Sequence, residues 1–112
     1  MKTEFDHIAI RTDDVGASIE FYKKHFDGVE ILYEDKTWGL LRVGGIKIAL
    51  VTSGEHPPHI SFRVETKQEL EEYAVKMKGK IMVHRDKSES FYFKDSSGNA
   101  VEIVWYPEED LH

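Results

Sequence analysis

The feature that most constrains the fold of this chain is an internal repeat. Its 112 residues divide into halves that match one another at displacements of 51 to 53 positions. His7-Ile8 matches His59-Ile60 at 52, and "GGIKIALV" matches "SGNAVEIV" at 53. A period near 50 is usual in repeat arrays, but two copies cannot build a solenoid. The repeat therefore predicts two equivalent modules paired in one pseudo-symmetric domain that spans residues 1–112.

Both halves contain the same predicted elements, in the order strand–helix–strand–strand–strand. In the first module, about residues 4–52, a strand with period-two alternation is followed by a helix that Gly28 ends and by three short strands. In the second module, about residues 59–106, the helix begins at the capping box "TKQE" and Gly79 ends it. The predicted fold class is α+β, with two tandem βαβββ modules.

Composition excludes several classes of function. The net charge of −6 argues against binding to nucleic acid or to an anionic membrane surface. No apolar run approaches the ~20 residues of a membrane span, and the polar start "MKTEFD" lacks the core of a signal peptide. We therefore expect a cytoplasmic protein. Because the chain has no cysteine, any metal ligands must be nitrogen and oxygen atoms.

Three polar side chains interrupt otherwise apolar strands. His7 and His59 stand at the start of equivalent strands, and Glu102 lies between Val101 and Ile103 in the last strand. A carboxylate there is costly to bury unless a cation or a hydrogen-bond donor compensates its charge. Two histidines and one carboxylate form the ligand set of a facial triad, which leaves coordination positions open for water or substrate.

Each of these residues also has an ordinary structural explanation. A single histidine at a strand end is usually a hydrogen-bonded polar residue, and a glutamate in a strand usually faces solvent. The coincidence of two histidines at equivalent positions favours the metal site. Nitrogen and oxygen ligands suit one divalent ion of Fe, Mn, Ni, Co or Zn.

The segments "DHIAIRTDD…SIEFYKKHF", "HISFRV" and "SFYFKDSSGNAVEIVWY" resemble the vicinal oxygen chelate superfamily over about residues 5–106. It includes glyoxalase I, extradiol dioxygenases, methylmalonyl-CoA epimerase and the fosfomycin and bleomycin resistance proteins. The resemblance implies that the modules form an incomplete barrel around a metal cleft. It also implies that His7, His59 and Glu102 occupy the metal-ligand positions.

Differences between this chain and the patterns of individual families reduce the number of reactions that the chain is expected to catalyse. Glyoxalase I uses a fourth ligand, a glutamate whose position falls on Ala49, so its four-ligand reaction is disfavoured here. Fosfomycin enzymes carry a threonine where this chain has Ala9, and a basic residue after the last glutamate that "IVWYPEEDLH" lacks. Extradiol enzymes have a tyrosine near the position of Tyr92. The resemblance implies that Tyr92 acts as an acid or orients a substrate oxygen, and the alternative is that it only packs against the neighbouring strand. Their additional catalytic histidine has no clear counterpart in this chain. His84 and His56 are the candidates, and a surface position is the expected interpretation of each.

The sequence therefore favours a metal-dependent enzyme that acts on a small oxygen-rich molecule, as a dioxygenase, lyase, isomerase or transferase. Glu102 is expected either to remain a fixed ligand or to leave the metal and act as a base. The alternative is a metal-free protein that sequesters a small molecule or antibiotic, as bleomycin resistance proteins do. Lys47 is interpreted as a solvated side chain, with contact to a substrate carboxylate as the alternative. A homodimer is the expected assembly.

Overall fold

The structure is a computed structural model in which residues 3–52, 54, 57–84 and 86–107 are described. The elements are β1 (Glu4–Arg11), α1 (Val15–His25), β2 (Glu30–Glu34), β3 (Trp38–Val43), β4 (Ile46–Val51), β5 (His59–Arg63), α2 (Lys67–Met77), β6 (Met82–Val83), β7 (Glu89–Lys94) and β8 (Ala100–Trp105). This order confirms the predicted α+β fold of two βαβββ modules.

The chain divides into two compact units, each described here by itself. The N-terminal unit comprises His7–His59, and the C-terminal unit comprises the residues up to Asp6 and from Ile60 onward. Strand β1 passes between the units after Asp6, and strand β5 does so after His59. His56, one of the two candidates for the additional histidine, lies outside the described residues.

In the N-terminal unit the strand order is β2-β3-β4-β1, with β1 parallel to β4 and the other pairs antiparallel. The turn between β3 and β4 requires positive φ at both central residues, which Gly44 and Gly45 supply with values of 59° and 81°. Helix α1 begins at Asp14, whose carboxylate accepts a hydrogen bond of 3.0 Å from the amide of Ala17. Its apolar side packs on the sheet through a buried core of Val15, Ile19, Leu41 and Leu50.

In the C-terminal unit the strand order is β5-β8-β7-β6. Helix α2 has the predicted capping box, since Thr66 and Glu69 each accept a hydrogen bond of 3.1 Å from the backbone amide of the other. The helix packs on the sheet through a buried core of Val64, Leu70, Ala74, Phe91 and Ile103. Both helices have 11 residues, and no helix of the described chain has the length and apolar character that a membrane span needs.

Gly79 does not end helix α2 in the way that the sequence suggested. The left-handed residue after the helix is Lys78, with φ 56°, and its amide donates to the carbonyl of Val75. Gly79 instead provides space, because a Cβ atom there would lie 2.2 Å from Cδ2 of Phe91. Close approach to a core ring, rather than backbone freedom, accounts for this glycine.

The repeat extends to individual backbone hydrogen bonds. The amide of Thr12 donates to the carbonyl of Val51 at 2.9 Å, and the amide of Val64 donates to the carbonyl of Val104 at 3.0 Å. These pairs are displaced by 52 and 53 residues, the same displacements that align the sequences. Strand β5 therefore meets β8 in the register in which β1 meets β4.

Candidate metal centre

The two predicted histidine ligands contact each other within the N-terminal unit. Nε2 of His7 lies 3.2 Å from Nε2 of His59, and the rings meet edge to face with their centroids 5.3 Å apart. His59 is 7% exposed and His7 is half-buried. The two imidazoles thus bring one nitrogen each within hydrogen-bond distance of the other.

The hydrogen bonds of His59 determine which of its nitrogens carries the proton. Nδ1 lies 2.8 Å from the carbonyl oxygen of Pro57, and a carbonyl oxygen can only accept. Nδ1 is therefore the protonated nitrogen of the neutral ring, and Nε2 keeps its lone pair. This arrangement suits a metal ligand, because the other nitrogen of a metal-binding histidine typically donates to a carboxylate, a backbone carbonyl or water.

The separation of the two Nε2 atoms matches that of two ligands of one ion. Nitrogens bound at about 2.1 Å with an angle of about 100° between the bonds would lie about 3.2 Å apart. The same separation also allows a direct hydrogen bond, in which His7 must donate because Nε2 of His59 is unprotonated. The two histidines therefore fit a divalent cation. When no cation is bound, the hydrogen on Nε2 of His7 lies between the two nitrogens instead.

Glu102 lies on β8 in the C-terminal unit and is 5% exposed. Its neighbour on β7 is Tyr92, and the phenol donates a hydrogen bond to the carboxylate. Burial, followed by the negative charge of Glu102, raises the pKa of Tyr92 well above its usual range. Tyr92 therefore keeps its proton at any physiological pH and holds the carboxylate in place.

All three predicted ligands lie on strands, as the sequence suggested. Among the described residues, His7, His59 and Glu102 make up a group of side chains that could hold a metal ion.

The N-terminal unit has no carboxylate at the position equivalent to Glu102. That position is Ala49, which pairs with Ala9 on one side and with Leu40 on the other. Lys47 lies on the same face of β4 and is only 9% exposed, so its interpretation as a solvated side chain is wrong. The alternation of residues along β4 predicts which face of the sheet Lys47 lies on. It does not predict whether other residues bury that face.

Several buried polar groups were not found from the sequence. Ser61 and Ser90 are fully buried, and Ser90 Oγ lies 2.7 Å from Nε2 of His84. The hydroxyl of Tyr106 donates to the buried carboxylate of Asp6 at 2.6 Å. All of these residues except Tyr106 lie in or beside strands in which apolar and polar residues alternate. Because polar residues in such strands usually face solvent, nothing in the sequence indicated that these are buried.

The sequence profile of the Glyoxalase/Bleomycin resistance protein/Dioxygenase superfamily matches residues 4–103. The chain belongs to this superfamily. No curated protein sequence matches the chain at a significant level.

Several solved structures share the fold of this chain. A methylmalonyl-CoA epimerase from Mycobacterium tuberculosis is 17% identical with a TM-score of 0.72, over 94% of this chain and 89% of the epimerase. A variant of homoprotocatechuate 2,3-dioxygenase from B. fuscum is 18% identical with a TM-score of 0.74, over 97% of this chain and 34% of the dioxygenase. A Mn(II)-bound glyoxalase from Novosphingobium aromaticivorans is 14% identical with a TM-score of 0.69, over 91% of this chain and 38% of the glyoxalase. At these identities the likeness shows the fold alone.

Proposed function

We propose that this protein is a metal-dependent enzyme that acts on a small oxygen-rich molecule, with His7, His59 and Glu102 as the metal ligands. The observation that carries the proposal is the state of His59, whose Nδ1 donates to Pro57 and whose Nε2 faces His7. The two Nε2 atoms lie 3.2 Å apart, which is the separation expected of two nitrogens that bind one cation. The Mn(II)-bound glyoxalase of the same fold supports a metal in this superfamily.

When bound, the metal would stabilise negative charge on two neighbouring substrate oxygens. The residues around it have separate tasks. Pro57 fixes the ring of His59, and Tyr92 donates to Glu102 and holds its carboxylate as a ligand. Because its phenol is a weak acid, Tyr92 suits a hydrogen-bond donor better than a general acid. Ala49 offers no ligand atom, which favours a three-ligand site over the four-ligand scheme of glyoxalase I.

The proposal is tested by metal content after reconstitution with Fe(II), Mn(II), Ni(II), Co(II) or Zn(II). We expect about one equivalent per chain in the wild type and at least about tenfold less in His59→Ala, because a ligand is lost. His25→Ala is the matched control, since His25 is exposed at the end of α1 and should leave the metal content unchanged. Circular dichroism shows whether each variant is folded.

Equal metal content in His59→Ala and His25→Ala would contradict the proposal, as would a wild type that takes up no metal. In the second case a screen for bound small molecules would test the sequestering alternative, for which chelator treatment should leave ligand binding unchanged. If the metal binds, its identity selects the assay. If the metal is iron, the assay should be for ring-opening oxygenation. If it is one of the other ions, the assays should be for isomerase, lyase or transferase activity.

A homodimer and a cytoplasmic location are parts of the proposal that the sequence alone suggested. All five residues of β2 are exposed at the edge of the sheet in the N-terminal unit, and they include Ile31, Leu32 and Tyr33. An edge strand with exposed apolar side chains supports association with a second copy. Light scattering of the purified protein measures the assembly.

A further inference from the structure

Ser61 has a buried hydroxyl that the fold leaves unused. Its side chain is fully buried, and among the described residues its Oγ is the buried side-chain polar atom without a hydrogen-bond partner. Buried polar groups are nearly always paired, because an unpaired hydroxyl lowers the stability of the folded state. A hydroxyl kept at such a cost indicates a partner that is not part of the protein.

The strand places Ser61 on the face that carries His59. The two residues are separated by one position on β5, so their side chains point the same way. Phe62 and Val64 point the other way and pack in the core beneath α2. Ser61 is therefore directed away from the core of the C-terminal unit.

The repeat also fixes the neighbour of Ser61. In the N-terminal unit Ala9 pairs with Ala49 across β1 and β4. The equivalent residues, at displacements of 52 and 53, are Ser61 and Glu102, and the matching backbone hydrogen bonds show the same register. Tyr92 pairs with Glu102 on its other side. Ser61, Glu102 and Tyr92 thus form a row across the sheet, here called the polar row.

The N-terminal unit shows that the fold does not need this hydroxyl. Its equivalent row consists of Ala9, Ala49 and Leu40, so a methyl group suffices where Ser61 stands. The polar row itself is otherwise satisfied, because Tyr92 donates to Glu102. The hydroxyl of Ser90, farther along β7, is likewise paired with His84. The unpaired hydroxyl of Ser61 is therefore specific to the C-terminal unit and is unexplained by folding.

We infer that Ser61 is a substrate-binding residue, whose hydroxyl donates a hydrogen bond to an oxygen of the molecule bound at the metal. This inference rests on the proposed metal site. The substrate class that it fits has two neighbouring oxygens, of which one is a carbonyl or an anionic oxygen that accepts from Ser61. Ser61 adds no charge, so it selects by hydrogen bonding rather than by electrostatic attraction.

The test compares Ser61→Ala with the wild type, both loaded with Co(II), whose visible spectrum reports the metal and its ligands. The probe is acetohydroxamate, a small molecule with two neighbouring oxygens. We expect the same metal content in both proteins and about tenfold weaker binding of the probe by Ser61→Ala, the effect of one hydrogen bond. We also expect Ser61→Ala to unfold at a higher denaturant concentration, since the unpaired hydroxyl is gone.

Ser90→Ala is the matched control for stability. It removes an equally buried hydroxyl from the same unit, but one that His84 pairs, so it should unfold at a lower denaturant concentration. Opposite shifts in the two variants support the inference, because a purely structural serine at position 61 would behave like Ser90.

The remaining outcomes separate the inference from the proposed function. Equal probe affinity in metal-loaded wild type and Ser61→Ala overturns the inference and leaves the metal site in place. Loss of metal from Ser61→Ala also overturns it, because Ser61 would then support the ligands instead of the substrate. A wild type that takes up no Co(II) overturns the proposed function and the inference with it, and metal content alone reveals this case.

Discussion

Replacement of Gly79 by alanine should destabilise the protein through a single contact. The added Cβ would lie 2.2 Å from Cδ2 of Phe91 and 2.8 Å from its Cγ, whereas ordinary contacts begin near 3.4 Å. Phe91 is fully buried among Val64, Leu70 and Ile103, so the ring or the backbone must move by about an ångström. Overpacking of this kind costs about 1–3 kcal/mol, and the short distance indicates the upper end of that range.

A smaller gain opposes this loss. Gly79 is not among the glycines with positive φ, so alanine can adopt its backbone conformation and restricts the unfolded chain by about 0.4–1 kcal/mol. The net change expected for Gly79→Ala is therefore a loss of about 2 kcal/mol, or about 8 °C in the melting temperature of a domain of this size.

The assay is denaturant unfolding followed by circular dichroism, with Gly16→Ala as the matched control. Gly16 lies in the first turn of α1, where the nearest atom to an added Cβ is Oδ1 of Asp14 at an ordinary 3.6 Å. The same substitution there should raise stability by about 0.5–1 kcal/mol. A Gly79→Ala protein as stable as the wild type would refute the steric argument, as would equal losses in the two variants.

Two further predictions concern the tyrosines and the cap of α2. Burial, followed by a neighbouring carboxylate, raises the pKa values of Tyr92 and Tyr106 above the usual 10.0, so both should stay protonated until the protein unfolds. Because the folded pKa values are the higher ones, their contribution to stability is complete below about pH 10 and is lost as the pH rises beyond it. Thr66→Ala removes the acceptor for the amide of Glu69 and should cost about 1 kcal/mol in denaturant unfolding.

The tyrosine prediction is measured by absorbance at 295 nm, where only part of the five-tyrosine signal should appear before alkaline unfolding. Complete ionisation in the folded protein would contradict it. For the cap, Thr66→Ser keeps the hydroxyl and should retain most of the stability. Equal losses in the alanine and serine variants would instead indicate loss of the methyl group.

The repeat made most of the fold predictable, because it constrained both halves at once. From its composition alone, the segment "KIMVH" at residues 80–84 would be expected to form a strand over its whole length. Only Met82–Val83 is a strand, with two residue pairs to β7. Both side chains are exposed, at 41% and 69%, so apolar residues here form an edge and not a core. Their residue types could not reveal that the sheet ends at this point.

The candidate ligands were predictable because each is out of place in its own strand. Glu102 between two apolar residues is conspicuous, and the repeat makes His7 and His59 equivalent. The burial of Ser61 and of Lys47 was missed because a serine or lysine on alternate strand positions fits a solvent face. Whether such a face is covered depends on residues far away in sequence, which periodicity cannot report.

The two histidines are the first and last residues of the N-terminal unit. A cation bound by both rings would link two positions about 50 residues apart in the chain. A cation that the folded protein binds and the unfolded chain releases stabilises the fold by mass action, by about 2.7 kcal/mol when its free concentration is a hundred times the Kd. A cell short of the metal would then hold a less stable protein, which quality control removes more readily. The amount of this protein, and not only its activity, would follow the supply of the metal.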